Sequence, residues 1–191
     1  DMSMLDCQVT LMENSFSRYF STGEIPIPLG SRHPAAAPFQ AFQGNDKYFV
    51  VALLTEERKV WHRFCESIGR LDLLEDPQFL DNALRVGNVE ELAKTLQRTF
   101  STKPAAHWLS VLAEARIPCG PVNNIKDVTD DPQIRHRKML TSIRNKSGRI
   151  WTVANTPFKF SKAVTGPKGA SPALGEHTQE ILTRFKRNDN L

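Results

Sequence analysis

The sequence predicts an α/β fold, and three observations support this class. A short run of apolar and β-branched residues at 47–54 has the composition of a buried strand. Several longer stretches place apolar residues at three- and four-residue intervals, which is the spacing of one face of a helix. Segments rich in proline, glycine and asparagine separate these elements and are typical of turns. Hydrophobic residues make up 40% of the 191 residues, which suits a chain with a packed core.

The spacing of apolar residues predicts five helices. They cover residues 2–20, 55–69, 85–100, 103–116 and 174–185. The first begins so early that the chain is expected to open inside a helix. Thr55 and the pair Ser101 and Thr102 are predicted N-caps, because a hydroxyl oxygen accepts a hydrogen bond from the first helical turn. Gly69 is a predicted C-cap, since glycine adopts the left-handed conformation without a steric penalty.

Prolines divide much of the remaining chain into extended segments. Ile25-Pro26-Ile27-Pro28 and the irregular stretch that follows as far as Pro38 form a long linker. A linker of this length is usually functional or crosses between domains. Residues 117–122 are predicted to be extended because two prolines bracket them. The other predicted elements are two short helical turns and the two strands of a hairpin, at residues 125–128, 132–137, 139–143 and 149–153.

Positive charge is concentrated in one part of the chain. The net charge is +4, and a stretch without Asp or Glu contains Arg135, Arg137, Lys138, Arg144, Lys146 and Arg149. A solvated face of the hairpin would explain this cluster, and so would contact with ligand phosphates or with nucleic acid. No aromatic residues alternate with the basic ones and no nucleic-acid-binding motif is present, so a nucleic-acid partner is not predicted.

Generic motifs for metals and membranes are missing from the sequence. Cys7, Cys65 and Cys119 are widely spaced and form no C-x-x-C pair, which favours a reducing compartment over a disulfide framework or a zinc site. The five histidines lack the spacing of metal ligands. No apolar run reaches the roughly 18 residues that cross a membrane. These features predict neither a metal nor a membrane partner.

Six short motifs occur in a fixed order along almost the whole chain. They are DMSMLDC at 1–7, GSRHP at 30–34 with PFQAF at 38–42, WHRFC at 61–65, DPQF at 76–79, IPCGPVN at 117–123 with DPQ at 131–133, and LGEHT at 174–178. In this order they resemble the family III CoA-transferases. This is the CaiB/BaiF group, which includes formyl-CoA and carnitine CoA-transferases and α-methylacyl-CoA racemase.

The resemblance implies that the chain is the C-terminal portion of a larger α/β enzyme. Residues 1–44 would be a helix and crossing linker of a large Rossmann-like domain, and residues 45–155 a small α/β domain. Residues 156–191 would return to the large domain as its C-terminal helix. Family subunits form an interlocked homodimer, so the expected partners are a second subunit or the missing N-terminal half. The expected location is the cytoplasm, or the mitochondrial matrix in a eukaryote.

The resemblance also implies a covalent mechanism. Family III enzymes move coenzyme A between an acyl-CoA donor and a carboxylic acid acceptor through an aspartyl-CoA thioester. Such covalent catalysis divides one difficult acyl transfer into easier steps. In the family, the nucleophilic aspartate lies upstream of the D-x-S-M-L-D motif. Asp1 and Asp6 match the two aspartates of this motif and not the nucleophile. No catalytic residue is therefore expected in this chain, and the chain alone is expected to be inactive.

The linker supplies the candidate binding residues. In the family, the segment corresponding to residues 30–38 approaches the active site at the dimer interface. Gly30, Arg32, His33 and Pro34 are therefore candidates for binding the substrate or CoA. Formyl-CoA transferases have a glycine-rich loop there, whereas this chain has three alanines after Pro34. Alanine lacks the backbone freedom of glycine, so formate and oxalate are disfavoured as substrates.

Two other functions stay open. Racemases of the same fold place a glutamate just after the small-domain strand, and Glu56 and Glu57 follow the predicted strand here. Exchange of the substrate α-proton with solvent, without any acceptor acid, would identify a racemase. A non-catalytic basic binding module would instead show steeply salt-dependent binding to nucleic acid and no response to CoA.

Overall fold

The structure is a computed structural model that describes residues 1–54, 57–145 and 147–188. The chain forms two compact units, Asp1–Val122 and Asn123–Leu191. The prediction of an α/β fold is confirmed, because both units combine helices with antiparallel strands. The domain boundaries implied by the family concern the whole enzyme and stay a prediction.

The described residues contain nine α-helices, one short 3-10 helix and five strands. The helices are α1 (Met4–Leu11), α2 (Glu13–Thr22), α3 (Arg58–Ser67), α4 (Asn82–Gly87), α5 (Val89–Phe100), α6 (Ala105–Glu114), α7 (Ile125–Asp130), α8 (Pro132–His136) and α9 (Thr178–Asn188), and the 3-10 helix is Leu71–Leu74. The strands are β1 (Phe39–Gln43), β2 (Tyr48–Ala52), β3 (Cys119–Pro121), β4 (Leu140–Arg144) and β5 (Ile150–Ala154). The first three form an antiparallel sheet in the order β1-β2-β3, and the last two form a hairpin.

The core of the first unit contains a cluster of aromatic rings against the sheet. Phe49 and Val51 of β2 are buried and alternate with more exposed residues, as the two-residue period of a strand requires. Phe42 of β1 lies directly opposite Phe49. The ring of Phe100, at the end of α5, lies 5.0 and 5.1 Å from the rings of Phe42 and Phe49. Trp108 of α6 is 5.3 Å from Phe100 on another side. One aromatic ring therefore joins two helices to the sheet.

Several predicted elements are confirmed. Strand β2 covers most of the strand predicted at 47–54, and β3 lies in the segment predicted to be extended. Gly69 follows α3 with a left-handed φ of +70°. Helices α7 and α8 and the hairpin strands β4 and β5 lie where the sequence indicates them. Thr55, the predicted N-cap of α3, lies outside the described residues.

The first predicted helix is wrong at its start and in its middle. The chain does not open inside a helix, because the Ser3 side chain accepts the N–H of Asp6 (3.4 Å) and caps α1. The helical path is interrupted at Met12, whose N–H donates to the carbonyl of Val9, only three residues back. Gly23, with a left-handed φ of +73°, ends α2.

Two other predicted helices also differ from the structure. The helix predicted at 85–100 is divided into α4 and α5 at Asn88. The Asn88 side chain donates to the carbonyl of Leu84 (2.9 Å), and such local side-chain bonds compete with a continuing helix. The last helix begins at Thr178 and not at residue 174, because Gly175 has a left-handed φ of +74° that a right-handed helix does not include.

Strand β1 is absent from the prediction, which assigns its residues to the linker. It pairs along its whole length with β2. Its end is attached to α5, because the Gln97 side chain donates to the Gln43 carbonyl (2.7 Å) and accepts the Gln43 N–H (3.0 Å). These two residues are 54 positions apart, so no local pattern indicates the contact.

Helix α6 is capped by a distant residue. The predicted caps Ser101 and Thr102 are wrong, since α6 begins at Ala105 and no hydroxyl caps it. Asp46, in the turn between β1 and β2, accepts the N–H of Ala105 instead (2.8 Å). Gly44 is required in the same turn, because a Cβ there would lie 2.6 Å from the Ala105 nitrogen. The turn and the start of α6 therefore fit closely together.

The Asp46 carboxylate is expected to make stability depend on pH. The hydrogen bond from the Ala105 N–H is the largest of the effects that lower the pKa of Asp46 below its ordinary value of 3.8. A lowered folded-state pKa stabilises the fold above the unfolded-state pKa, and this contribution is lost as the pH falls through the folded-state value. Asp46→Asn is therefore expected to lower the free energy of unfolding at neutral pH and to have little effect well below pH 3.8. Urea denaturation of both proteins at the two pH values tests this, and an equal difference at both would contradict it.

Candidate functional site

The linker and helices α2, α4 and α5 form a cleft in the first unit. Its volume is about 500 Å³, and it is lined by Arg18, Glu24, Ile25, Ile27, Leu29, Arg32, His33, Pro34, Val86 and Val89. Three of the four residues predicted from the sequence, Arg32, His33 and Pro34, are in this lining. The fourth, Gly30, lies in the turn that precedes them.

A tight turn leads the linker into the cleft. The Arg32 N–H donates to the Leu29 carbonyl (3.3 Å), which closes the turn. Gly30 has a φ of +66°, in the left-handed region that favours glycine. A Cβ at Gly30 would meet no other atom within 4 Å, so the backbone angle and not the available space requires glycine. The Ser31 hydroxyl oxygen accepts the N–H of Ala41 (3.1 Å), which attaches the turn to β1.

The contacts of His33 assign the position of its proton. Its Nδ1 accepts the N–H of Ala35 (3.2 Å), so the neutral ring carries its proton on Nε2. The ring is stacked on Phe39 with a centroid distance of 4.8 Å and an interplanar angle of 2°. The His33 N–H donates to the Phe39 carbonyl (2.9 Å). His33 is therefore a hydrogen-bond donor at the cleft whose orientation is set by the start of β1.

Two arginines bring positive charge to the cleft. Arg18 of α2 pairs with Glu24 (2.8 Å), and Arg32 makes a longer pair with Glu90 of α5 (3.7 Å). All four side chains are at least one-third exposed, so solvent weakens these pairs. Each guanidinium has five N–H donors, and the pairs use only some of them. The remaining donors suit a bound carboxylate, which a guanidinium contacts through two parallel hydrogen bonds.

Asn82 holds the linker from the first turn of α4. Its side chain donates to the Ala35 carbonyl (2.9 Å) and accepts the N–H of Ala37 (3.2 Å). The amide therefore bonds to the linker backbone on both sides of one residue, as a neighbouring strand would. This contact constrains the segment that follows His33.

Arg85 is the one buried charged residue in the part of the chain that the structure describes. Its guanidinium donates to the carbonyls of Ala37 (2.8 Å) and Phe79 (3.2 Å) and lies 4.6 Å from the centre of the Trp61 ring. Burial lowers the pKa of Arg85 below its ordinary value, and Cys65 and Asp81 partly offset this effect. The group nevertheless stays charged at neutral pH. It joins the linker to the core.

Sequence reasoning indicates the linker but not the groups around it. Arg18, Asn82 and Arg85 belong to no motif, and Asn82 and Arg85 contact linker residues 45 and 48 positions away. The available signal is Asp81, whose side chain accepts the N–H of Leu84 and caps α4. An N-cap at this position places Asn82 in the first turn but does not indicate what it contacts.

Metal ligands and activated thiols do not stand out in the residues that the structure describes. Among residues 1–54, 57–145 and 147–188, no three His, Cys, Asp or Glu side chains lie close enough together to hold a metal ion. Burial raises the pKa of the Cys65 thiol to about 12 and also raises that of Cys119. Neither is therefore a reactive thiolate at neutral pH. In these same residues, no helix has the length and apolarity needed to span a membrane.

The fold is that of one part of a family III CoA-transferase. The sequence profile of CoA-transferase family III matches residues 1–178, and the chain belongs to this family, as the motifs predict. The chain is 35% identical over 161 residues to the acetyl-CoA:oxalate CoA-transferase of Acetobacter aceti. This alignment covers 84% of the chain and 40% of that protein. The chain is also 33% identical over 183 residues to the succinyl-CoA:mesaconate CoA-transferase of Haloarcula hispanica. This second alignment covers 95% of the chain and 45% of that protein.

A solved structure has the same fold. A CaiB/BaiF family protein from Brucella suis superposes with a TM-score of 0.76 at 29% identity. The alignment covers 96% of this chain and 47% of that one. The chain thus spans less than half the length of these relatives.

Proposed function

We propose that this chain is part of an enzyme that transfers coenzyme A between an acyl-CoA and a dicarboxylic acid. The two relatives described above are named for oxalate and for mesaconate, and both of these acids have two carboxylates. The observation that carries the proposal is the cleft, which places Arg18, Arg32 and His33 around one volume of about 500 Å³. All three side chains donate hydrogen bonds, which is what a carboxylate accepts.

The cleft suits a carboxylate for two physical reasons. Ile25, Ile27 and Val86 give it an apolar wall, which suits the carbon chain of an organic acid. The linker is attached to β1 and to α4, so Arg32 and His33 lose less conformational freedom when a ligand binds.

We propose the covalent route of the family for the chemistry. The nucleophilic aspartate attacks the thioester carbonyl, so that a mixed anhydride forms and the CoA thiolate leaves. The thiolate then attacks the aspartyl carbonyl, which gives the aspartyl-CoA thioester and releases the acyl group as a carboxylate. The acceptor acid repeats the two steps in reverse. Asp1 and Asp6 do not line the cleft, and the proposal assigns the nucleophile to another part of the enzyme.

Replacing Arg32 tests the role of the cleft. The full-length protein is incubated with succinyl-CoA or acetyl-CoA and with oxalate, mesaconate or glutarate, and CoA esters are measured by mass spectrometry. Arg32→Gln is expected to raise the KM for the acceptor acid about tenfold, because a hydrogen bond to a charged group contributes about 1.5–3 kcal/mol. The KM for the acyl-CoA is expected to change less.

Arg98→Gln is the matched control, because Arg98 lies on α5 with an exposed side chain and does not line the cleft. Equal KM values for Arg32→Gln and the wild type would contradict the role of the cleft.

Efficient transfer to oxalate would contradict the expectation, based on the alanines at 35–37, that oxalate is a poor substrate. Exchange of a substrate α-proton in deuterated water, without any acceptor acid, would favour a racemase. Of the two glutamates relevant to that alternative, Glu57 is the exposed N-cap of α3, and Glu56 lies outside the described residues.

We also propose that the full enzyme covers the apolar side of the first two helices. Met4, Leu5, Leu11 and Phe20 each expose at least 70% of their surface. Exposed apolar surface of this extent favours association. The rest of the subunit or a second subunit of a homodimer would cover it, and sedimentation of the full-length protein distinguishes a dimer from a monomer.

A further inference from the structure

The second unit has a groove with basic side chains. Its volume is about 500 Å³, and it is lined by His136, Arg137, Lys138, Asn155, Lys159, Phe160, Ala163, Val164 and Thr165. None of these residues is acidic. The sequence from 132 to 175 contains nine lysines and arginines and no Asp or Glu. The groove therefore collects positive charge from two separate parts of this stretch.

Asn155 joins the two sides of the groove. Its side chain donates to the Lys138 carbonyl (3.0 Å), and its N–H donates to the Met139 carbonyl (2.7 Å). A Cβ at Gly166 would overlap the Asn155 side chain, so glycine is needed where the loop returns. The Thr165 hydroxyl donates to the Phe158 carbonyl (2.6 Å), which closes that loop. The groove is therefore shaped by specific contacts.

Lys138 has an uncommon backbone conformation. Its φ is +51°, in the left-handed region that residues other than glycine adopt infrequently. This residue turns the chain between α8 and β4 and carries one of the basic side chains of the groove. Strained backbone positions of this kind are often found at functional sites.

The nearby acidic residues are engaged elsewhere. Asp130 pairs with Lys126 (2.6 Å) and Arg135 (2.7 Å), and Asp131 caps α8. No ion pair is formed by Arg137, Lys138 or Lys159 with any residue in the described part of the chain. A concave surface with several cations and no anion attracts a polyanion more strongly than an isolated surface charge does.

We propose that this groove binds the phosphate groups of a nucleotide, with the exposed ring of Phe160 against the base. Arg137, Lys138 and Lys159 supply the charge for the phosphates. Phe160 and Val164 are exposed apolar side chains in the same lining, and an aromatic ring stacks on any base. The nucleotide is either free or the nucleotide end of coenzyme A, which have this chemistry in common. The proposal does not depend on the CoA-transfer activity.

Binding of pyrophosphate, ADP and CoA to the 191-residue chain tests the proposal. Titration calorimetry gives the affinities, and NMR shifts of the backbone amides show where each ligand binds. The amides of residues 136–138 and 159–165 are expected to shift. Lys159→Ala is expected to weaken ADP binding about tenfold, in line with the loss of a hydrogen bond to a charged group. Lys162→Ala is the matched control, since Lys162 lies in the same loop but does not line the groove, and it is expected to have little effect.

Phe160→Ala separates the base from the phosphates. It is expected to weaken ADP binding several-fold and to leave pyrophosphate binding unchanged. Tighter binding of CoA than of ADP would identify the nucleotide end of CoA as the ligand, whereas equal or weaker binding would identify a free nucleotide.

Four results would overturn the proposal. The first is no binding of ADP or pyrophosphate at millimolar concentration, and the second is an equal loss of ADP affinity in Lys159→Ala and Lys162→Ala. The third is that the NMR shifts are confined to amides outside 136–138 and 159–165, and the fourth is that only long oligonucleotides bind. None of these results bears on the transferase assay, so the two proposals fail independently.

Discussion

Replacement of Phe100 by alanine is expected to lower the free energy of unfolding by about 3–5 kcal/mol, the usual cost of deleting a buried phenylalanine side chain. Phe100 is fully buried. Its ring contacts Phe42, Phe49 and Trp108, and its carbonyl accepts the Trp108 Nε1–H (2.8 Å). Alanine would leave a cavity where β1, β2 and α6 meet, and a well-packed core collapses only partly into such a space.

Urea denaturation of the wild type and the variant measures the effect. Phe100→Leu is the matched control, because it keeps much of the side-chain volume and is expected to cost less than about 1.5 kcal/mol. Similar losses for the alanine and leucine variants would show that the ring contacts matter less than the structure indicates. A loss below about 2 kcal/mol for alanine would contradict the central position of Phe100.

Replacement of Arg85 by alanine is expected to lower the free energy of unfolding by about 3 kcal/mol or more. The variant leaves the carbonyls of Ala37 and Phe79 without the guanidinium, and an unsatisfied buried acceptor costs about 1–3 kcal/mol. It also removes the contact of the cation with Trp61. Because Ala37 lies in the linker, the loss is expected to loosen the segment that carries His33.

Two further variants separate the effects at Arg85. Arg85→Met keeps most of the side-chain stem but loses the hydrogen bonds. Its free energy of unfolding is therefore expected to lie between those of Arg85→Ala and the wild type. Arg98→Ala, on the exposed side of α5, is expected to have an effect within about 0.5 kcal/mol. Denaturation measures stability, and hydrogen exchange at the Ala37 amide measures the loosening of the linker. An Arg85→Ala variant as stable as Arg98→Ala would contradict the prediction.

Local patterns in the sequence predict many elements correctly. The apolar run at 47–54 predicts β2, and Gly69 follows α3 with the left-handed φ that its position indicates. The prolines around Cys119 predict an extended segment, and β3 lies there. In each of these cases, the feature that determines the local structure involves only a few neighbouring residues. These features are the fixed φ of proline, the glycine at the end of a helix and the alternation of buried and exposed side chains in a strand.

The wrong predictions have a common cause. Asp46 replaces the predicted hydroxyl caps of α6 although it is 59 residues away from Ala105. The pairing of β1 with β2 and its bonds to Gln97 likewise depend on segments that are distant in sequence. A local sequence pattern does not indicate these contacts, because the tertiary fold decides which distant segments become neighbours.

The candidate site shows the same division. The motif at residues 30–34 indicates Arg32, His33 and Pro34 from the sequence alone, since a short linker motif is a local feature. Packing adds what the motif lacks, namely Arg18 from α2 and the bonds from Asn82 and Arg85 that hold the linker. Which side chains surround the cleft is set by the contacts between distant elements, and these form only when the whole unit is folded.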